Sequence, residues 1–117
     1  MKGIAIGLSH TSKLILKRLK RTEFIHEIYL ARSTYEEEIE ENEITLIKPN
    51  EVLKEHWENV TLIIFIGSVG ASVRLINSFL TSKDQDPGVI VIDNKCSKIV
   101  PLIGLHQSNT QNIAYQI

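Results

Sequence analysis

Three nearly uninterrupted apolar runs punctuate this chain: Gly3-Ile4-Ala5-Ile6-Gly7 at its start, Val60-Thr61-Leu62-Ile63-Ile64-Phe65-Ile66 in its middle, and Val89-Ile90-Val91-Ile92 further on. A strand with one wet face alternates apolar and polar side chains, whereas a strand covered on both faces needs no polar positions. The runs therefore predict central strands of a mainly parallel sheet with helices on either side. The segments between them carry helical spacing. From Thr11 to Arg21, Ser12, Ile15, Leu16 and Leu19 share one face while Lys13, Lys17, Lys20 and Arg21 share the other, so the basic side reads as solvated. Pro49-Asn50 introduces a second helix, from about Glu51 to Glu58, with Val52, Leu53 and Trp57 inward. A third helix is expected after Gly67-Ser68-Val69-Gly70, with Val69, Val73, Ile76 and Leu80 as its apolar stripe and Arg74, in its first turn, on roughly the opposite side.

Weaker signals complete the pattern. Phe24 to Leu30 and Ile44 to Ile47 are short strand candidates, and the acidic stretch from Glu36 to Glu43 between them reads as a loop or frayed helix. Asp84-Gln85-Asp86-Pro87-Gly88 is a loop and Asp93 to Ser97 a polar turn, followed by a strand from Lys98 to Ile103. Pro101 cannot donate to a sheet ladder, which sends that strand to an edge and suggests an edge strand or hairpin near residues 89–103. A last helix is expected from about Asn109, with Ile113, Ala114 and Ile117 on its core side; its apolar pattern is still running where the chain stops, which suggests a piece of something longer. Alternating strands and helices give an α/β fold, a three-layer sandwich with a mainly parallel central sheet of Rossmann or flavodoxin type, with residues 1–117 as a single domain.

The composition fits one folded unit: 117 residues, 43% of them hydrophobic, with a formal net charge of -1. That charge lacks the field of a general nucleic-acid binder, and no apolar run reaches the roughly 18 residues that span a bilayer. The opening residues are too short and strand-like for a secretory signal, and Cys96 is the sole cysteine, so the expectation is a cytoplasmic protein without a disulfide framework or thiolate zinc site.

Chemistry is best sought at the strand-to-helix junction Gly67, Ser68 and Gly70. In open α/β sheets, ligands favour the carboxyl ends of strands, where helix N-termini offer free N–H groups and partial positive charge. Arg74 could add a bidentate contact to a carboxylate or phosphate. The plainer alternative is a tight turn with a solvated arginine. The junction lacks the lysine of a Walker loop, and neither it nor Gly3 to Gly7 has the third glycine of the dinucleotide fingerprint. His10, His26, His56 and His106 lack metal-ligand spacing. His10 and His106 follow strands within polar turns and could share a mouth if both strands end on the same side. Asp86, Asp93, Asn94 and Asn109 also lie in polar turns, where such residues either activate water or close the turn. Cys96, between Lys95 and Lys98 with no base nearby in sequence, reads as structural.

Taken in order, the stretch from Val60 to Ala114 resembles the N-terminal region of the cobalt-precorrin-5A hydrolase (CbiG) family of anaerobic cobalamin biosynthesis. That family has an apolar strand, a G-hydrophobic-x-x-R helix, a D-P-hydrophobic strand with a terminal D, a second strand, and a G-H-x-G-G-x-N segment. Here these stand as Ile63-Ile64-Phe65-Ile66 with Gly67, Gly70-Ala71-Ser72-Val73-Arg74, Asp86-Pro87, Val89-Ile90-Val91-Ile92-Asp93, and Ile99-Val100-Pro101-Leu102 followed by Gly104-Leu105-His106. Leu105 replaces the usual glycine before the histidine, and Gln107-Ser108-Asn109-Thr110-Gln111 departs from the two glycines and asparagine. The first 59 residues match only in character, and family members are longer, with a linking region and a C-terminal domain.

The resemblance implies hydrolysis of the ring-A acetate δ-lactone of a cobalt tetrapyrrole, with a two-carbon fragment released as acetaldehyde. On that reading His106, or else Asp93, handles the proton, while Gly67, Ser68, Gly70 and Arg74, with Asp86, bind substrate. The macrocycle carries the cobalt, so neither a metal ligand nor a cofactor of the protein's own is expected. Expected partners are the tetrapyrrole itself, a C-terminal region of the family type or other corrin-pathway enzymes, and a second copy covering the edge strand and final helix. The rival readings are a noncatalytic corrinoid-binding or interaction domain and a flavodoxin-like module for a small anion or phosphate.

Overall fold

A computed structural model describes residues 2–31, 45–82, 85–95 and 97–103. The acidic stretch 36–43, Cys96, His106 and the helix expected from Asn109 lie outside the described residues. The elements are β1 (Gly3–Gly7), α1 (Lys13–Lys20), β2 (Glu27–Ala31), β3 (Thr45–Ile47), α2 (Pro49–His56), β4 (Leu62–Ile66), α3 (Val69–Ile76), β5 (Gly88–Ile92) and β6 (Ile99–Ile103), with a single 3-10 turn over His10–Ser12 leading into α1. They build a six-stranded sheet in the order β3-β2-β1-β4-β5-β6. β1 to β5 run parallel, and β6 returns antiparallel to β5. This is the Rossmann strand order, with its last strand reversed.

The apolar runs explain which strands are central. Every residue of β1, β4 and β5 is buried, β2 alternates, and β6 is half-buried throughout. Ala5, Leu62, Ile64, Ile66, Ile90 and Ile92 pack on the α1 side with Ile15, Leu16 and Leu19. Ile4, Ile6, Ile63, Phe65, Val89 and Val91 pack on the other side with Val52, Leu53 and Trp57 of the α2 region and Ile76 of α3. The expected three-layer α/β sandwich is therefore present. Pro101 faces Ile90 across the β5–β6 hairpin, beside a register irregularity at Val89/Ile90, and lies in the outer strand as its missing N–H requires.

Two helix expectations are corrected. α2 begins at Pro49, in the first helical position where the missing N–H costs nothing, rather than near Glu51. α3, which ends at Ile76, is rotated from its expected apolar stripe, of which Ile76 alone is buried. Val69, Val73 and Leu80 are exposed at 40%, 45% and 43%, whereas Ser72 and Ile76 are buried. Ser72 can take an inward position because its hydroxyl donates to the Ser68 carbonyl at 2.9 Å, and its small volume lets the helix approach the sheet closely.

His56, buried on α2, is the polar group that ties this helix to β2. The Tyr29 hydroxyl donates to Glu27 Oε2 at 2.5 Å, which leaves its oxygen to accept from His56 Nε2 at 3.0 Å. The Tyr29 hydrogen bond, aided by Lys2 and His56 and opposed by partial burial, holds the Glu27 carboxyl below its usual range. Burial first, and then Glu27, push the Tyr29 phenol far above the usual tyrosine range. Among the described residues no helix is long and apolar enough to cross a membrane.

These shifts fix a pH profile. The Glu27 contribution is full above the ordinary glutamate pKa and is lost as pH falls through the lowered folded value. The Tyr29 contribution is full below the ordinary tyrosine pKa and declines as pH rises above it. Tyr29→Phe is expected to flatten both limbs of the stability–pH curve, measured by urea unfolding from acid to strongly alkaline pH. Unchanged limbs would show that the network carries no such linkage.

Candidate functional site

The strand order reverses direction between β1 and β4, since the chain moves from β1 toward β3 on one side and from β4 toward β6 on the other. Loops leaving the carboxyl ends of these neighbours diverge and open a crevice. Gly7 and Ile66 are register partners at that edge. The Leu8 N–H donates to the Ile66 carbonyl and the Gly67 N–H to the Ile92 carbonyl, both at 2.9 Å, so the ends of β1, β4 and β5 are stitched into one rim.

Gly67 is required by that stitching. Its φ is +157°, and a Cβ there would lie 3.0 Å from both Cβ and Cδ1 of Leu8. Ser68 is the N-cap of α3, its hydroxyl accepting from the Ala71 N–H at 3.1 Å, while its carbonyl accepts from the Ser72 N–H at 3.2 Å. The cap leaves the N–H groups of the exposed Val69 and Gly70, at the helix start, without a backbone or side-chain acceptor among the described residues. Gly70 is exposed, and a Cβ added to it would meet nothing within 4 Å.

Arg74 stands in the last turn of α3 rather than the first, because the helix begins at Val69. Its Cα lies about 9 Å along the axis from the cap at 1.5 Å per residue. It is exposed and makes no ion pair with the described residues. Gly67, Ser68, Gly70 and Arg74 thus occupy one junction and the helix leaving it.

Asp93 follows β5 at the same edge, with its carboxylate turned to local work. Oδ1 accepts from the Ser97 N–H at 2.7 Å and the Lys98 N–H at 3.0 Å, and Oδ2 from the Ser97 hydroxyl. The Ser97 hydroxyl first, and then the Lys98 N–H, hold this carboxyl below its usual range. Such an acid is a weak base, and it closes the β5–β6 turn. Asp86 is not brought to the rim at all. It precedes Gly88, whose register partner is Leu62 at the amino end of β4. There it accepts from the Trp57 indole N–H at 3.2 Å and the Thr81 hydroxyl at 2.8 Å. Burial pushes its carboxyl up, but the Thr81 hydroxyl and N–H and the Trp57 indole outweigh that and lower it.

The strands ahead of the two histidines end on opposite sides. β1 ends at Gly7 beside Ile66, and β6 ends at Ile103 beside Val89, so the condition for a shared mouth of His10 and His106 is not met by these strands. The structure instead adds three polar residues to the rim. Ser9 and Thr11 hydroxyls lie 2.8 Å apart, and Ser9 Oγ reaches Asn94 Oδ1 at 3.5 Å across the end of β4. Polar residues directly after two buried strands were the available signal, but their meeting depends on strand order. Among the described residues no group of three or more His, Cys, Asp or Glu side chains gathers to hold a metal ion.

The two glycines give opposite stability predictions. Gly67→Ala is expected to cost about 1–3 kcal/mol through its backbone conformation and the Leu8 contact. Gly70→Ala is expected to stabilise by about 0.4–1 kcal/mol because the native site accepts a Cβ. Denaturant midpoints check both, and equal effects would contradict this description of the junction.

Comparison with known proteins adds the context. The family model described as cobalamin synthesis G N-terminal matches residues 51–117. A cobalt-precorrin-5A hydrolase of Salmonella typhimurium (strain LT2) is 32% identical over 53 residues, which are 45% of this chain and 15% of that protein. A cobalamin biosynthesis protein G homolog from Sulfolobus solfataricus superposes with a TM-score of 0.68 at 21% identity, covering 98% of this chain and 32% of the other. UDP-D-quinovosamine 4-dehydrogenase from Vibrio fischeri superposes with a TM-score of 0.55 at 14% identity, covering 86% of this chain and 92% of the other. The last two likenesses are of fold. The matches span 15% of the hydrolase and 32% of the solved homolog.

Proposed function

The chain belongs to the cobalamin synthesis G N-terminal family, and from that premise we propose that it recognises a cobalt tetrapyrrole by its carboxylate arms, as the substrate-binding part of a cobalt-precorrin-5A hydrolase. The observation that carries this reading is the rim at the carboxyl ends of β1 and β4, where the Val69 and Gly70 N–H groups stand at the start of α3, with the exposed Arg74 one turn beyond Gly70 on the same helix. Helix N-termini and guanidinium groups bind carboxylates in the same way whether these belong to a bound substrate arm or to the oxyanion formed when water attacks a lactone.

In the reaction implied by the family resemblance, a base takes a proton from water as it attacks the ring-A lactone carbonyl. Asp93 is poorly suited to that step because its carboxylate is occupied by three donors. β6, the strand that precedes His106, ends at the opposite edge of the sheet from this rim, so the water-activating base is proposed to come from a part of the hydrolase beyond the matched 15%. The protein needs no cofactor of its own on this account, since the macrocycle holds the cobalt. A cytoplasmic setting belongs to the same proposal. The 15% share of the hydrolase that is matched favours a second reading, in which this chain binds the corrinoid while another polypeptide segment completes the chemistry.

Anaerobic incubation with cobalt-precorrin-5A, following corrinoid mass, bound corrinoid and free acetaldehyde, tests the proposal. Saturable binding is expected, weakened about tenfold or more by Arg74→Ala, in line with roughly 1.5–3 kcal/mol for a hydrogen bond to a charged group. Binding without release supports the second reading, and absence of binding overturns both.

A further inference from the structure

We propose that the outer face of α3 is the seat for the flat face of the macrocycle, with Val69 and Val73 beneath the ring and Gly70 and Arg74 at its carboxylate edge. This rests on the corrinoid-binding reading above and adds which surface carries the ring.

The exposed sides of the three helices differ: α1 presents one isolated apolar residue, Leu14 at 75% exposure, among basic residues such as Arg18 and Lys20. α2 presents Asn50, Glu51, Lys54 and Glu55 outward, an ordinary solvated face. α3 presents two valines at 40% and 45% exposure, while Ser72 is buried beneath it. A helix serving only its own core would exchange these roles. Val69 and Val73 lie one turn apart, so their side chains form a continuous apolar shoulder. Gly70 lies next to that shoulder, and Arg74 follows it by one turn.

Gly70 supplies a second, independent observation. Its backbone has no positive φ, and nothing within 4 Å would oppose a Cβ, so the fold does not demand glycine there. Glycine near the start of a helix sacrifices stability relative to alanine. Its effect is a bare strip of backbone between an apolar shoulder and a cation without an ion pair among the described residues. A ligand matching this surface has a broad apolar face and an anionic margin. A tetrapyrrole with acetate and propionate arms has both, whereas a small carboxylate or phosphate would use only the helix start.

The test is a visible-absorbance titration of the full chain with a stable cobalt corrin bearing free carboxylate arms. Val69→Ser combined with Val73→Ser is expected to weaken binding about tenfold or more. Gly70→Ala is expected to weaken it severalfold while raising the thermal midpoint, which separates lost contact from lost folding. A tricarboxylate without a ring should not compete at comparable concentration. If the corrin binds the parent chain and Arg74→Ala weakens it, but the valine and glycine variants bind like the parent, this proposal fails while the corrinoid reading stands. If the parent chain does not bind the corrin, both fail together.

Discussion

The pairing of β1 with β4 is the constraint on which the rest of the molecule depends. These strands are far apart in sequence yet lie side by side in parallel register, from Gly3 against Leu62 to Gly7 against Ile66. Both are buried throughout, so each must be covered above and below. The three helices answer that demand, α1 on one face and α2 and α3 on the other. Because the chain turns away from this pair in opposite directions, the same pairing that forms the core also opens the crevice where Ser68, Ser9 and Asn94 reach solvent beside the buried Gly67.

Close packing at this edge explains several residue choices at once. Gly7 leaves room for the Ser12 side chain and for Leu16, whose Cδ1 would lie 2.9 Å from an added Cβ. Gly67 lets the backbone pass Leu8 on its way from β4 into α3. Ser68 and Ser72 then secure the first turn of α3 from both sides, one hydroxyl accepting and the other donating. The result is a short helix held firmly at its start, with no acceptor for its first N–H groups among the described residues. At the opposite end of the sheet, Asp86 and the Glu27–Tyr29–His56 network do structural work, so two groups of titratable residues are separated by the length of the strands.

Much of this was legible in the sequence, because burial on both faces removes polar positions and leaves unmistakable runs. β1, β4 and β5 follow directly from theirs, and Pro101 announced the outer strand. Helix faces were harder to read. In α3 both the Val69-Val73 face and the Ser72-Ile76 face satisfy helical spacing, and hydropathy favours the wrong one. The buried serine is stabilised by a hydrogen bond to its own helix that no hydropathy scale records. His56 was readable in principle, since it follows Val52 by four residues and Leu53 by three on the inward face of α2. The Ser9–Asn94 approach was not, because it depends on strand order. The separation of Asp86 from the rim follows from direction: it precedes β5, whereas Gly67 follows β4.

On the function proposed above, a carboxylate-bearing cobalt tetrapyrrole lies on this rim and on the outer face of α3. The most direct measurement is amide chemical-shift mapping of the isotope-labelled chain during titration with a diamagnetic cobalt corrin carrying free carboxylates. The largest changes are expected at Ser68, Val69, Gly70 and Val73, with smaller ones at Ser9 and Asn94. Changes centred instead on Trp57, Thr81 and Asp86, at the other end of the sheet, would contradict that placement.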